Sequence, residues 1–129
     1  MANATKKILL VDDELELIDI YTATLKDAGY VVITAIDGPE GLEKARTEKP
    51  DLILLDLKMP KMSGLQVLAK LKADQELKNI KVIFLTAFSD PLIPAIDVTF
   101  SQYMGATDLI KKGISLADFV SKVRSYVGT

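Results

Sequence analysis

The sequence predicts an α/β fold built on one parallel sheet with helices on both faces. Three observations carry this. Short apolar runs recur along the chain, among them Ile8-Leu9-Leu10-Val11, Leu52-Ile53-Leu54-Leu55 and Val82-Ile83-Phe84-Leu85. They are nearly continuous rather than alternating, as strands buried on both faces are. Segments of helical periodicity separate them, so strand and helix alternate throughout, the pattern of a parallel sheet.

The elements follow in order. The first strand is expected at about Lys6 to Val11. A helix is expected over about Glu14 to Ala28, with Leu15, Ile18, Thr22 and Leu25 on one face, stopped by Gly29 in a left-handed cap. Val31 to Ala35 is the second strand. Gly38-Pro39 opens the next helix, where the missing Pro N–H costs nothing, and that helix ends before Pro50. Leu52 to Asp56 is the third strand, followed by a helix over about Ser63 to Asp74 carrying Leu65, Leu68 and Leu71. Lys81 to Thr86 is the fourth strand, and about Pro94 to Met104 the next helix. Asp108 to Ile110 is a short fifth strand. Ser115 caps a last helix, with Asp118 in its first turn and Leu116, Phe119, Val120, Val123 and Val127 on the buried side. Five β-α units of this kind predict a flavodoxin-like (βα)5 doubly wound sheet in strand order 2-1-3-4-5. Its ligand crevice lies at the switch point between the first and third strands.

Composition narrows the chemistry. The chain has 129 residues, 49% hydrophobic and 26% charged, enough for one domain with one core. A net charge of −2 gives no basic field for nucleic acid. No apolar stretch is long enough to span a bilayer, and no signal peptide is evident. The chain contains neither Cys nor His. Thiol chemistry, the commonest general base and most zinc sites are thereby excluded, and any metal is left to oxygen ligands, which favour Mg²⁺.

The first and third strands both end in carboxylates, Asp12-Asp13-Glu14 and Asp56. Carboxylates gathered in one crevice repel unless a cation intervenes. Mg²⁺ answers that need and commonly joins carboxylates to a phosphate. A carboxylate beside it can attack phosphorus and form an acyl phosphate. The neutralising groups are sought at the remaining strand ends: Thr86 offers a hydroxyl, Ala87 leaves room, and Lys111 or Lys112 offers a cation. Taken singly, each has an ordinary reading. Asp12 and Asp13 can cap a helix, Thr86 is a common strand residue, and a lysine is usually a solvated charge. Their joint occurrence at four strand ends sets them apart.

The chain resembles the receiver domain of bacterial two-component response regulators over about Lys6 to Tyr126. The resemblance is carried by Val11-Asp12-Asp13, by Asp56-Leu57-Lys58-Met59-Pro60-Lys61-Met62-Ser63-Gly64, by Thr86-Ala87 and by Gly105-Ala106-Thr107-Asp108-Leu109-Ile110-Lys111-Lys112. It implies that Asp56 accepts a phosphoryl group from a sensor histidine kinase or phosphotransfer protein. It further implies that Asp12, Asp13, Asp56 and the Lys58 backbone carbonyl hold Mg²⁺, Asp12 mainly through water, and that Thr86 and Lys112 contact the phosphoryl oxygens. The implied protein is a cytoplasmic signalling switch that promotes only its own phosphorylation and dephosphorylation. It acts on a downstream protein target of unknown identity, without direct nucleic-acid binding or membrane insertion. Residues 1–129 are expected to form a single receiver domain, core about 6–126, with no output domain.

Three features depart from the family pattern. Gly113 stands where a proline usually follows the lysine, so a trans peptide and a shifted Lys112 are expected. Leu109 stands where an aromatic residue usually serves the switch. The stretch from Thr86 to Gly105 is long and contains Pro91-Leu92-Ile93-Pro94. These leave open a degenerate receiver that binds partners independently of phosphorylation. A haloacid dehalogenase-type phosphatase is disfavoured because Lys58 replaces its second Asp. A flavin carrier is disfavoured because Asp12-Asp13-Glu14 would repel the cofactor's phosphate.

Overall fold

The computed structural model describes residues 5–87 and 105–128. The expected helix at Pro94–Met104 and the Pro91–Pro94 stretch lie outside them. Five strands, β1 (Lys7–Val11), β2 (Val31–Ala35), β3 (Leu52–Asp56), β4 (Lys81–Thr86) and β5 (Asp108–Lys111), form one sheet in order β2-β1-β3-β4-β5. All pairings are parallel. Four helices accompany them among the described residues: α1 (Leu15–Asp27), α2 (Gly38–Glu48), α3 (Gly64–Ala73) and α4 (Leu116–Val127). Expected order and observed order agree.

The central strands are buried on both faces, which is why they read as unbroken apolar runs. Alternate residues supply two cores. Leu9, Val11, Ile53, Leu55, Val82 and Phe84 face α2 and α3, meeting Leu42, Val67, Leu68 and Leu71. Ile8, Leu10, Leu52, Leu54, Ile83 and Leu85 face α1 and α4, meeting Ile18, Tyr21, Leu25, Phe119 and Val123. Leu109 joins the first core and is buried beside that layer. Met59 and Met62 pack against the same core as expected.

Two expected core positions are corrected. Leu15 is 65% exposed and Leu116 is 43% exposed. Each is the first residue of its helix, and helical side chains lean toward the N-terminus, so these two lean off the helix end. The buried stripe of α1 is also centred on Ile18, Tyr21 and Leu25, with Leu15 rotated well off it.

The helix ends follow their sequence signals. Gly29 has φ 101, and the Tyr30 N–H reaches the Leu25 carbonyl at 3.1 Å, closing α1. Asp37 accepts the Glu40 N–H at 2.9 Å to start α2. Ser115 accepts the Asp118 N–H at 3.1 Å to start α4.

Candidate functional site

Strand order makes β1 and β3 neighbours, with Val11 opposite Leu55. The residues just past that pair, Asp12 and Asp56, therefore emerge side by side. One carboxylate oxygen each from Asp12, Asp13 and Asp56 lies within 4.8 Å of the other two. Asp12 and Asp56 are buried, and Asp13 is exposed at the mouth. A cavity of about 440 Å³ opens over them, lined by Asp13, Glu14, Asp56, Lys58, Ala87 and Lys112 among others.

Lys112 arrives from the far end of the sheet. Its N–H donates to the Thr86 carbonyl at 2.7 Å, which fixes the backbone just past β5. Its ammonium lies 2.9 Å from Asp12 Oδ2, 2.9 Å from Glu14 Oε1 and 3.3 Å from Asp56 Oδ1. Asp12 Oδ2 makes no hydrogen bond beyond this ion pair, while Asp12 Oδ1 accepts the Glu14 N–H at 3.0 Å. The Lys58 N–H points at Asp56 Oδ1 at 3.4 Å.

The electrostatics follow from burial. Desolvation, reinforced by the neighbouring Asp12 charge, pushes the Asp56 carboxyl up to about 7; Lys112 and the Lys58 amide oppose this. Desolvation also raises Asp12 above the usual carboxylate range, opposed by the Glu14 amide and Lys112. Burial alone would lower Lys112, but Glu14, Asp12 and Asp56 outweigh it and hold the ammonium well above its ordinary value.

The loop from β3 to α3 is shaped by one glycine. A Cβ on Gly64 would collide with the Asp56 backbone oxygen and sit 2.9 Å from Leu57 Cα. The Gly64 N–H donates to the Leu57 carbonyl at 2.8 Å, and the Leu57 N–H donates to Leu85 at 3.1 Å. Ser63 and Gln66 form a reciprocal capping box at the start of α3. Lys61 takes φ 68 and pairs with Asp37 at 3.1 Å, tying the loop to the start of α2.

Thr86 ends β4, fully buried, one residue past Leu85, the β4 partner of Asp56. Among the described residues its hydroxyl donates at 3.5 Å to the Ala87 carbonyl. Lys111 pairs with Thr86 in the sheet and is exposed, whereas Lys112 enters the cavity. That is the alternation expected of neighbouring strand residues. Every described peptide bond is trans, that before Gly113 included. Whatever shift Gly113 causes, Lys112 still reaches Asp12 and Asp56. Glu14 as a partner of Lys112 was not predicted. Its only signal was its place directly after the acidic pair.

The donor set fits a small hard cation. It is all oxygen, two of three carboxylates are buried with raised pKa, and they converge within one coordination sphere. Among the described residues no helix is long and apolar enough to cross a membrane.

Comparison with known proteins agrees with this fold. The chain matches the response regulator receiver domain family over residues 8–124. It is 38% identical over 120 residues to the alkaline phosphatase synthesis transcriptional regulatory protein PhoP of Bacillus subtilis, covering 93% of this chain and 48% of that protein. The chain thus spans about half the length of that relative. It is 36% identical over 124 residues to the polar-differentiation response regulator DivK of Brucella ovis, covering 96% of this chain and 98% of that one. Among solved structures, the chemotaxis protein CheY4 of Vibrio cholerae superposes with a TM-score of 0.83 at 29% identity, covering 95% of this chain and 99% of that one. At 24% identity, a receiver domain of a Pseudomonas aeruginosa sensor histidine kinase, described with a magnesium ion in its active site cleft, shares the fold with a TM-score of 0.85, covering 98% of this chain and 100% of that one. The protein belongs to the response regulator receiver domain family.

Proposed function

We propose that the protein is a phosphoacceptor of a two-component phosphorelay and that Asp56 carries the phosphoryl group. The observation that supports this best is the convergence of Asp12, Asp13 and Asp56 within 4.8 Å, with Lys112 bridging two of them. An Asp56 oxygen attacks the phosphorus of a phosphohistidine. The P–N bond breaks, and the imidazole leaves with a proton. Asp56 must be ionised to attack, yet burial and Asp12 oppose ionisation. Asp12, Asp13, Asp56 and the Lys58 carbonyl would hold Mg²⁺, Asp12 mainly through water, and the ion would supply positive charge that favours ionised carboxylates and offsets the phosphoryl charge. Lys112 then exchanges its Asp56 contact for a phosphoryl oxygen, and the Thr86 hydroxyl, whose bond to the Ala87 carbonyl is long at 3.5 Å, donates to another. Positioning and charge do the work; the protein promotes only its own phosphorylation and dephosphorylation.

The upstream partner in this reading is a sensor histidine kinase or phosphotransfer protein, in the cytoplasm, and the output is altered binding to a downstream protein. Incubation with a phosphohistidine donor protein tests it. Transfer to this chain that requires Mg²⁺ and stops with chelator supports the reading. No transfer with Mg²⁺ present would favour a receiver that binds its partners independently of phosphorylation.

A further inference from the structure

We propose that the start of α2 positions the loop from β3 to α3, with Asp37, Gly38 and Lys61 as positioning residues for the Lys58 carbonyl. For its meaning the inference rests on the phosphoacceptor reading above, because that reading gives Lys58 its place beside the metal. The loop runs from Leu57 to Ser63, and Lys58, Met59 and Pro60 line the cavity over the carboxylates. Its base is fixed by backbone bonds: the Gly64 N–H donates to the Leu57 carbonyl at 2.8 Å, and the Leu57 N–H donates to Leu85 at 3.1 Å. Neither bond reaches the outer limb, Lys61 and Met62. There the loop leans on α2.

Two contacts make that support. A Cβ on Gly38 would lie 2.8 Å from Met62 Cβ and 2.9 Å from Val67 Cγ2, so only a glycine lets the first turn of α2 meet the loop and α3 this closely. Beside it, the Lys61 ammonium pairs with Asp37 Oδ2 at 3.1 Å, while Asp37 Oδ1 accepts the Glu40 N–H and caps α2. Lys61 takes φ 68, a conformation uncommon for residues other than glycine, and lysine has no short polar side chain to favour it. The backbone there is held by its surroundings, and the pair with Asp37 joins that point to α2. The Met62 N–H turns back to the Pro60 carbonyl at 2.7 Å. The three cavity-lining residues are thus strung between a base fixed on the sheet and an outer limb fixed on α2. Asp37, Gly38 and Lys61 do not line the cavity themselves, so they act on the metal through the loop.

Lys61→Met keeps the length of the side chain and removes its charge. Coulomb's law alone makes Mg²⁺ bind more tightly when a nearby positive charge is lost. Loss of the support makes it bind about two- to fivefold more weakly, the range a surface ion pair sustains. Weaker Mg²⁺ binding by calorimetry is the expected result, and equal or tighter binding would overturn the proposal. In the metal-free protein, exchange of the Met62 amide is expected to quicken by a similar factor in Lys61→Met, in Asp37→Asn and in the double variant, with no further gain in the last. Unchanged exchange in either single variant would overturn the role of the pair. Gly38→Ala presses on the loop from the same side and is expected to weaken Mg²⁺ binding as well. A folded Gly38→Ala variant that binds Mg²⁺ as the wild type does would overturn the part assigned to Gly38. Failure of the wild type to bind Mg²⁺ would instead sink the metal reading, and Met62 exchange would still decide whether α2 holds the loop.

Discussion

The Lys112 ammonium lies 3.3 Å from an Asp56 oxygen, so the residue proposed to accept phosphate is already paired with the residue proposed to hold it there. The same ammonium bridges to Asp12 at 2.9 Å. Lys112 thus supplies, within the protein, part of the positive charge that the three carboxylates require.

Removing that charge separates two of its effects. Lys112→Ala leaves buried Asp12 and Asp56 unpaired, and loss of one partner of a buried ion pair costs about 2–5 kcal/mol. The metal-free variant should lose stability in this range at pH 8, measured by urea unfolding. It should also gain more from Mg²⁺ than the wild type does, because no lysine competes for the carboxylates. A thermal shift with Mg²⁺ no larger than that of the wild type would count against the competition.

Mg²⁺ binding should depend on pH through Asp56. Its carboxyl is pushed up to about 7 by burial and Asp12, so below that value a proton must leave before the metal enters. Affinity measured by calorimetry should rise with pH, approaching about tenfold per unit below 7, and level off above. The stability of the metal-free protein should run the other way. A group whose folded pKa is raised contributes stability that is present below the unfolded value of 3.8 and lost as pH rises through about 7. Asp56→Asn should therefore stabilise the metal-free protein more at pH 8 than at pH 5.

Gly64→Ala should deform the site by crowding rather than by charge. The added carbon would strike the Asp56 backbone oxygen and approach Leu57 Cα to 2.9 Å, both backbone, so neither can rotate away. A loss of about 2 kcal/mol or more in urea unfolding is expected. Weakened Mg²⁺ binding should accompany it, since Lys58 lies in the same loop. A variant of wild-type stability would show that the loop gives way without strain.

Away from the site, Asp108 is buried at the start of β5 and held by α4. The Tyr126 hydroxyl donates to Asp108 Oδ2 at 2.5 Å, and Lys122 lies 3.3 Å from the same oxygen. Burial alone would raise this carboxyl, but Tyr126, the Leu109 amide and Lys122 hold it below the usual range. Tyr126→Phe should cost about 1–3 kcal/mol at neutral pH. The stability Asp108 contributes is present above its unfolded pKa of 3.8 and lost as pH falls through its lower folded value. The difference between wild type and variant should accordingly shrink in acid. A constant difference down to pH 3 would show that the bond acts by packing alone.

The parts of this protein that sequence reasoning reached are those where one residue type has few other uses. Unbroken runs such as Leu52–Leu55 mark strands buried on both faces, and strand order then places Asp12 beside Asp56. Gly64 and Ser115 are legible for the same reason: their local backbone demands them. Leu15 and Leu116 misled because helical spacing says nothing about whether a core lies under the first turn. Glu14 was visible as charge but not as a partner, because the chain folds Lys112 back to it across 98 positions.

The central claim is that Asp56 accepts the phosphoryl group, and intact-mass analysis after acetyl phosphate and Mg²⁺ tests it most directly. A single phosphoryl adduct on the wild type, absent from Asp56→Asn and lost when Mg²⁺ is chelated beforehand, is the predicted result. A wild type without the adduct, or an Asp56→Asn variant that carries it equally, would contradict the account.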